Sequence, residues 1–413
     1  MKYGLIGERL GHSFSKEIHA LLGDYEYRLC EIAPACLDGF MLARDFLGIN
    51  VTMPYKAAVI PYLDWVHEPA AEIGAVNTVI NVDGKLYGYN TDYYGMKALF
   101  ERAKIDARGK KAAILGTGGT AKTALAVLTS LGACEILCVS RGKREGAIGY
   151  DELYEQHSDV EIIVNTTPVG MHPEVQGCPI DLSKLGRLIG VIDAVYNPIN
   201  TALVQDARKR GISAEGGLYM LVAQAAVASE LFLHKNGAAS PENIEKIYAK
   251  IKAKKENIIL VGMPSSGKST VGKLLASRLG RRFVDTDELI TERIGMSIGE
   301  YFEQYGEARF REVECEVIGE LATEDSLVIA TGGGAVLREE NVFNLKKSGR
   351  IYFIDRPLSD LIPTEDRPLS KNRWALEKLY EERYPIYCEV CDARIDADCD
   401  ADSVSEKILE NLK

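Results

Sequence analysis

Two short stretches constrain this chain more than anything else in it. Each is an apolar, strand-like run that breaks into a glycine-rich turn and resumes as a helix-like run. The first is AAILGTGGTA at Ala112–Ala121, and the second is ILVGMPSSGKST at Ile259–Thr270. A strand that turns abruptly into a helix leaves the first-turn N–H groups of that helix without intrahelical partners, and the helix dipole favours negative charge there. Both stretches are candidate phosphate cradles. Both also ask for a buried strand in a parallel sheet with a helix packed on its face.

The rest of the chain fits that demand. KKAAILG, EILCVS, EIIVNTT and LIGVIDAV are near-continuous apolar runs, as strands buried on both faces require. YGLIG, LGINVT and AVNTVINV precede them, and IILVG, FVDTD, LVIATGGG and IYFID follow, with helical spacing between. Alternation of strand and helix predicts α/β parallel sheets. At 413 residues, two or three domains are expected. The lysine-rich run EKIYAKIKAKKEN, Glu245–Asn257, marks a seam, with a boundary near Lys254.

Bulk properties exclude several classes. A net charge of −11 is the wrong sign for a nucleic-acid binder. The most apolar stretch, Tyr219–Leu233, is interrupted by Gln224 and Glu230 and falls short of the ~20 residues that span a bilayer. MKYGLIGERLGHS lacks the apolar core of a secretion signal. Nine scattered cysteines fit reduced thiols in a cytoplasm. Cys388 and Cys391 form a lone CxxC without a second pair, read as neither zinc site nor redox centre. No nucleic-acid or membrane partner is expected, and a homo-oligomer is compatible with the sequence.

In the first cradle, Gly116 permits a tight turn and Gly118 a close backbone approach, so Gly116, Thr117, Gly118, Gly119, Thr120 and Ala121 would hold a dinucleotide pyrophosphate. The next strand ends in Ser140-Arg141-Gly142-Lys143-Arg144. A site for NAD places a carboxylate there; Ser140 and Arg141 suit the 2′-phosphate of NADP(H). The second cradle fits G-x-x-x-x-G-K-[ST] through Gly262, Gly267, Lys268 and Ser269, followed by Thr270. Lys268 would reach the β- and γ-phosphates, and Ser269 would ligate Mg²⁺.

Four clusters in the first part, GHSFS, NVTMPYK, GAVNT and YNTDYYG, are rich in small hydroxyl and amide groups. Such groups bind a polyhydroxylated molecule through neutral hydrogen bonds. Lys56 and Asp92 are the charged groups that stand out. A lysine held by a carboxylate can protonate the oxygen of a ketone that receives hydride. By residue type alone Lys56 is more often an ordinary surface lysine, and spacing does not pair it with Asp92. In the second part, DTD at Asp285–Asp287, Arg309 and Arg311 in EARFREVE, and TGGG at Thr331–Gly334 suggest a small hydroxylated anion, although each alone is commonly structural.

Together these motifs carry a resemblance. Residues 1–250 resemble shikimate 5-dehydrogenase through Ser13 and Ser15, Asn50-Val51-Thr52 with Pro54 and Lys56, Asn77-Thr78, Asn90-Thr91-Asp92, GTGGTA, NTTPVGM (165–171), DAVYNPINT (193–201) and GGLYMLVAQ (216–224). The resemblance implies Lys56 and Asp92 as the catalytic pair and Ser13 and Ser15 as the holders of the substrate carboxylate. It implies Thr52, Asn77, Tyr196 and Gln224 as the rest of the polyol site. Serine at position 15 resembles the shikimate-selective members, and the stretch departs from the family pattern at Lys16 and His19.

Residues 256–413 resemble shikimate kinase through the phosphate loop, DTD, Phe310–Glu312, Gly332–Val336, Arg367–Leu369 and RYPIY (383–387). That implies ATP and Mg²⁺, with Asp287 as base or orienter and Arg311 and Arg383 as the carboxylate clamp. Gly333 would line the pocket and Arg367 would stabilise the transferred phosphoryl group. Ile362 and Pro363 stand where the family carries a further basic residue, so a shortened lid is expected.

The expected architecture is α/β throughout. An α/β substrate domain (1–97, completed by helices within 216–250) is followed by a Rossmann NADP-binding domain (98–215) and a P-loop kinase α/β domain with a central parallel sheet (254–413). The expected function is bifunctional: reduction of 3-dehydroshikimate with NADPH, then phosphorylation of shikimate with ATP. The alternatives are a dehydrogenase with a weakened kinase half, or a metabolite-binding regulator. A regulator would have lost Lys56, Asp92, Lys268 or Asp287, and all four are present.

Overall fold

The structure is a computed structural model and describes residues 1–11, 13–362 and 372–412. The chain divides into two compact units, Met1–Met171 with Gln176–Lys252, and His172–Val175 with Ala253–Lys413. The lysine-rich run lies in a helix, Pro241–Lys255, which ends just before the strand Asn257–Val261. Among the described residues no helix is long and apolar enough to cross a membrane.

The first unit holds two sheets. In one, β1 (Tyr3–Gly7), β2 (Tyr27–Glu31), β3 (Gly48–Val51), β4 (Trp65–Val66), β5 (Thr78–Val82) and β6 (Lys85–Tyr89) lie in the order β2-β1-β3-β5-β6-β4. The sequence predicts parallel sheets, yet this one is mixed: β3–β5 and β5–β6 run antiparallel. The cause is local. Asp83 and Gly84 both take positive φ, 50° and 82°, the geometry of a two-residue hairpin turn. Asp-Gly between two strand-like runs is its signal, and β6, like β2 and β4 of this sheet, is a strand that sequence reading missed.

The other sheet contains β7 (Lys111–Leu115), β8 (Glu135–Val139), β9 (Ala147–Ile148), β10 (Ile162–Asn165), β11 (Gly190–Asp193) and β12 (Ser213–Glu215). Their order is β12-β11-β10-β7-β8-β9, with every pairing parallel. β10 and β11 are buried at every position, which is why they read as unbroken apolar runs. The order is doubly wound, and it reverses beside β7, the strand that leads into GTGGTA.

Helix Leu218–Leu233 explains the longest apolar run. It is buried at Val222, Ala223, Ala225, Ala226 and Ala228, and shares a core with Met96, Leu99 and Phe100 of helix Thr91–Ala103. Near its end, Phe232 lies over Gly48 of β3, leaving no room for a side chain there. The chain beyond β12 therefore returns to the first sheet.

His19 sits beneath that sheet. It is fully buried, stacked on Tyr27 at 3.8 Å, with Nδ1 against the Tyr25 hydroxyl. Burial pushes its pKa from 6.5 down to about 3. An imidazole kept neutral in the fold but protonated when unfolded makes stability fall as pH drops below about 6.5. The loss should reach about 2 kcal/mol between pH 7 and pH 5. Thermal unfolding at the two pH values checks this: His19→Gln should flatten the difference, and an unchanged pH slope would assign the loss to another group.

The second unit has one sheet of β13 (Asn257–Val261), β14 (Phe283–Asp285), β15 (Val328–Ala330), β16 (Gly349–Asp355) and β17 (Ala393–Asp396). The order is β14-β15-β13-β16-β17, all parallel. The phosphate loop, TGGG and DTD leave β13, β15 and β14, which are adjacent. Three motifs far apart in sequence thus share one carboxyl edge of the sheet, where α/β folds bind ligands.

Candidate active sites

Helix Thr91–Ala103 carries Asp92 in its first turn and is capped by Asn90, whose side chain accepts from the Tyr93 N–H at 3.1 Å. Lys56 Nζ lies 2.6 Å from Asp92 Oδ2, with side-chain exposures of 24% and 14%. The two groups that sequence could not pair are an ion pair at a part-buried position.

Beneath that pair lies a buried network. Asn77 Oδ1 accepts the Thr91 N–H at 2.6 Å, and Asn77 Nδ2 donates to Thr91 Oγ1 at 3.0 Å. Thr91 Oγ1 also donates to Gln224 Oε1 at 3.3 Å. Asn50 Nδ2 donates to Thr78 Oγ1 at 3.0 Å, and Thr78 meets Thr91 at 3.1 Å. Asn77 and Gln224 therefore bracket the residue that precedes Asp92. Asn50, Thr78 and Thr91 were not singled out as site residues; their signal was that the same clusters supply them.

Ser13 Oγ accepts the Ser15 N–H at 3.3 Å, at the start of helix Ser15–Leu22. Phe14, between the serines, packs edge-on against Tyr196 with ring centres 5.3 Å apart. This joins Ser13, Ser15 and Tyr196. Thr52 opens the turn that leads to Lys56, and its carbonyl accepts the Tyr55 N–H at 2.9 Å.

In the dinucleotide turn Gly116 takes φ +105°, and a Cβ there would stand 2.9 Å from Thr166 Oγ1. Gly118 and Gly119 face open space. Helix Gly119–Ser130 begins at Gly118 without a side-chain cap, so its first-turn N–H groups, with those of Thr120 and Ala121, remain for an anion. β8 ends at Val139; Ser140 follows part-buried, and Arg141 to Arg144 are exposed.

Asp193 is a residue the sequence did not single out. Fully buried at the end of β11, it accepts from Asn165 Nδ2 (2.9 Å), the Val195 N–H (3.0 Å) and Thr201 Oγ1 (2.6 Å). Burial pushes its carboxyl up to about 6 against those donors. Asn165 in turn accepts from Thr167. The segment that packs on Gly116 and the one that carries Tyr196 are thus tied to one carboxylate.

In the second unit, Lys268 is buried, and its Nζ donates to the Gly262 and Met263 carbonyls at 3.0 and 2.8 Å. Ser269 Oγ donates to Asp285 Oδ2 at 2.6 Å. A hydroxyl and a carboxylate together are hard oxygen donors that fit Mg²⁺, which commonly takes few protein ligands and the rest from phosphate and water.

A Cβ on Gly332 would stand 2.5 Å from Asp287 Oδ1, and one on Gly334 would collide with the Arg311 guanidinium. The glycine run is what allows Asp287 and Arg311 to converge on it. Arg311 pairs with buried Glu314 and with Glu307, each at 2.9 Å. Burial pushes the Glu314 carboxyl up, while Arg311 pulls it down. Arg383 is buried, its Nε has no hydrogen-bond partner among the described residues, and Tyr387 one turn on donates to the Gly333 carbonyl. Burial pushes Tyr387 up to about 12. Asp287, Arg311, Gly333 and Arg383 are gathered, and Glu314 is the member sequence reading missed. Arg367 lies outside the described residues.

The shikimate dehydrogenase substrate-binding-domain model matches residues 5–79, and the shikimate kinase model matches residues 264–413. The chain is 37% identical over 271 residues to shikimate dehydrogenase (NADP(+)) of Clostridium perfringens, covering 61% of this chain and 98% of the relative. Among solved structures it is similar to a chorismate mutase/shikimate 5-dehydrogenase fusion protein from Clostridium acetobutylicum. That likeness has 33% identity and a TM-score of 0.57, and covers 61% of this chain and 97% of that one. It is also similar to shikimate 5-dehydrogenase from Thermus thermophilus, solved with NADP(H) and shikimate. There identity is 27% and the TM-score 0.54, with 60% and 99% covered.

Proposed function

The chain belongs to the shikimate dehydrogenase family, and from that premise we propose that it performs two successive reactions. One part reduces 3-dehydroshikimate to shikimate with NADPH. The other transfers the γ-phosphoryl group of ATP to the 3-hydroxyl of shikimate. The ion pair of Lys56 with Asp92 at 2.6 Å is the observation that carries the reading.

In the first reaction, NADPH supplies hydride to the carbonyl carbon. Lys56, oriented by Asp92, donates a proton to the carbonyl oxygen, so that the ketone becomes an alcohol. Ser13 and Ser15 hold the carboxylate. Thr52, Asn77, Tyr196 and Gln224 hold the ring hydroxyls; Asn77 also fixes the Thr91 backbone that sets Asp92, and Gln224 accepts from the Thr91 hydroxyl. Residues Gly116–Ala121 cradle the pyrophosphate, and Ser140 and Arg141 take the 2′-phosphate.

In the second reaction, Asp287 orients the attacking hydroxyl and takes up its proton. Arg311 and Arg383 clamp the carboxylate against the Gly333 backbone; the Nε of buried Arg383, which has no partner among the described residues, supports this. Gly262–Thr270 cradle the phosphates, and Arg367 is the proposed stabiliser of the transferred group. Ser269 and Asp285 would hold Mg²⁺, which, when bound, draws charge from the phosphate oxygens.

Incubation of the full chain with 3-dehydroshikimate, NADPH, ATP and Mg²⁺, with products identified by mass, tests the proposal. Shikimate 3-phosphate is expected. Shikimate alone would retain the reductase and remove the kinase.

Cofactor choice has its own test. Arg141→Asp should raise KM for NADPH at least tenfold while leaving KM for NADH within about threefold, the size expected for one lost charge-assisted contact. Equal losses with both cofactors would detach Arg141 from the 2′-phosphate.

A further inference from the structure

β16 runs into Arg356-Pro357-Leu358, an earlier copy of the Arg-Pro-Leu found again at Arg367–Leu369. Pairing of Val261 with Phe353 places the end of β16 beside the phosphate loop. A Cβ on Gly262 would lie 2.7 Å from the Ile354 carbonyl oxygen. Asp355 is anchored by Arg394 Nε at 2.7 Å and by the Tyr384 hydroxyl at 3.2 Å, so the backbone that presents Arg356 is fixed.

The Arg356 guanidinium lies across two loops. Its Nε donates to the Ser266 carbonyl at 3.3 Å, within the phosphate loop, and its Nη2 to the Cys399 carbonyl at 3.4 Å, after β17. Nη2 is also 3.9 Å from where a Cβ on Gly267 would sit. Both partners are neutral carbonyls. Arg278, Arg293 and Arg394 of this unit pair with carboxylates, Asp402, Glu320 and Asp355, whereas Arg281, like Arg356, donates to backbone carbonyls. Arg356 makes no ion pair among the described residues. A part-buried, uncompensated guanidinium held by two long hydrogen bonds at the rim of an anion cradle can exchange them for shorter, stronger bonds to phosphate oxygens.

We infer that Arg356 is a nucleotide-binding residue, which adds a fixed positive charge to the polyphosphate chain beside that of Lys268. The inference rests on the kinase reading above. It gives the site a second cation from the sheet itself, where the sequence carries Ile362 in place of a basic residue further along.

The test uses the full-length chain, with MgADP titrated by calorimetry and steady-state kinetics in ATP and in shikimate. R356Q should weaken MgADP binding and raise KM for ATP by about tenfold or more, with KM for shikimate changed less than twofold. R356K should recover part of the loss, because charge remains although the fork is gone. Unchanged MgADP affinity in R356Q would overturn the assignment. So would an equal rise in both KM values, which marks general loosening, or an R356K as impaired as R356Q. A parent chain that binds no MgADP would instead bring down the kinase reading, and this inference with it.

Discussion

Lys56→Ala should lower kcat for reduction of 3-dehydroshikimate by about 10³-fold, within the range that a positioned proton donor contributes. Phosphorylation of added shikimate should continue. The size follows from the role proposed for Lys56. Hydride arrival at a ketone leaves an alkoxide, and an ammonium held at the spot neutralises it without solvent rearrangement. Asp92 holds Lys56 at 2.6 Å, so the donor needs no search. Asp92→Asn should be milder, because the amide oxygen still accepts a hydrogen bond while the charge is lost. The loss should appear in kcat, with KM for NADPH nearly unchanged, since the dinucleotide turn at Gly116–Ala121 is built separately. Turnover of Lys56→Ala near the parent rate would contradict the assignment, and a matching rise in KM for 3-dehydroshikimate would make Lys56 a binding group only.

The same pair shows where sequence reading stops. Lys56 and Asp92 are 36 residues apart, and no periodicity joins them; only the resemblance did. The phosphate loop was legible because its chemistry is contiguous, with strand, glycines, lysine and serine inside twelve residues. The mixed sheet was missed because alternation was extended to the first strands, although Asp83-Gly84 marked the hairpin. Asp193 and Glu314 were hidden for another reason. Each is a buried carboxylate whose meaning comes from partners: Asn165, Val195 and Thr201 for one, Arg311 for the other. A lone Asp at a strand end, or a Glu three residues after an Arg on a helix, looks like ordinary surface charge until the fold encloses it. Arg356 belongs to the same class, since only strand register puts it against the loop.

Lys268→Ala should remove at least about 10²–10³-fold of kcat/KM for ATP, the loss typical when one preorganised charge donor leaves a transfer site. Reduction should stay intact. In the structure the Lys268 ammonium is held over the loop by the Gly262 and Met263 carbonyls. Its charge is therefore in place before any nucleotide arrives, and little reorganisation is needed when charge migrates during transfer. Kd for MgADP should rise far less than kcat falls, because the diphosphate still finds the loop N–H groups and the first turn of helix Lys268–Leu279. The substitution also strips two carbonyls of their donor, so collapse of the loop is the competing cause. Collapse would cost MgADP binding as heavily as turnover, and the two measurements made on one preparation separate the explanations. Parent-level phosphorylation by the variant would take the lysine out of the mechanism altogether.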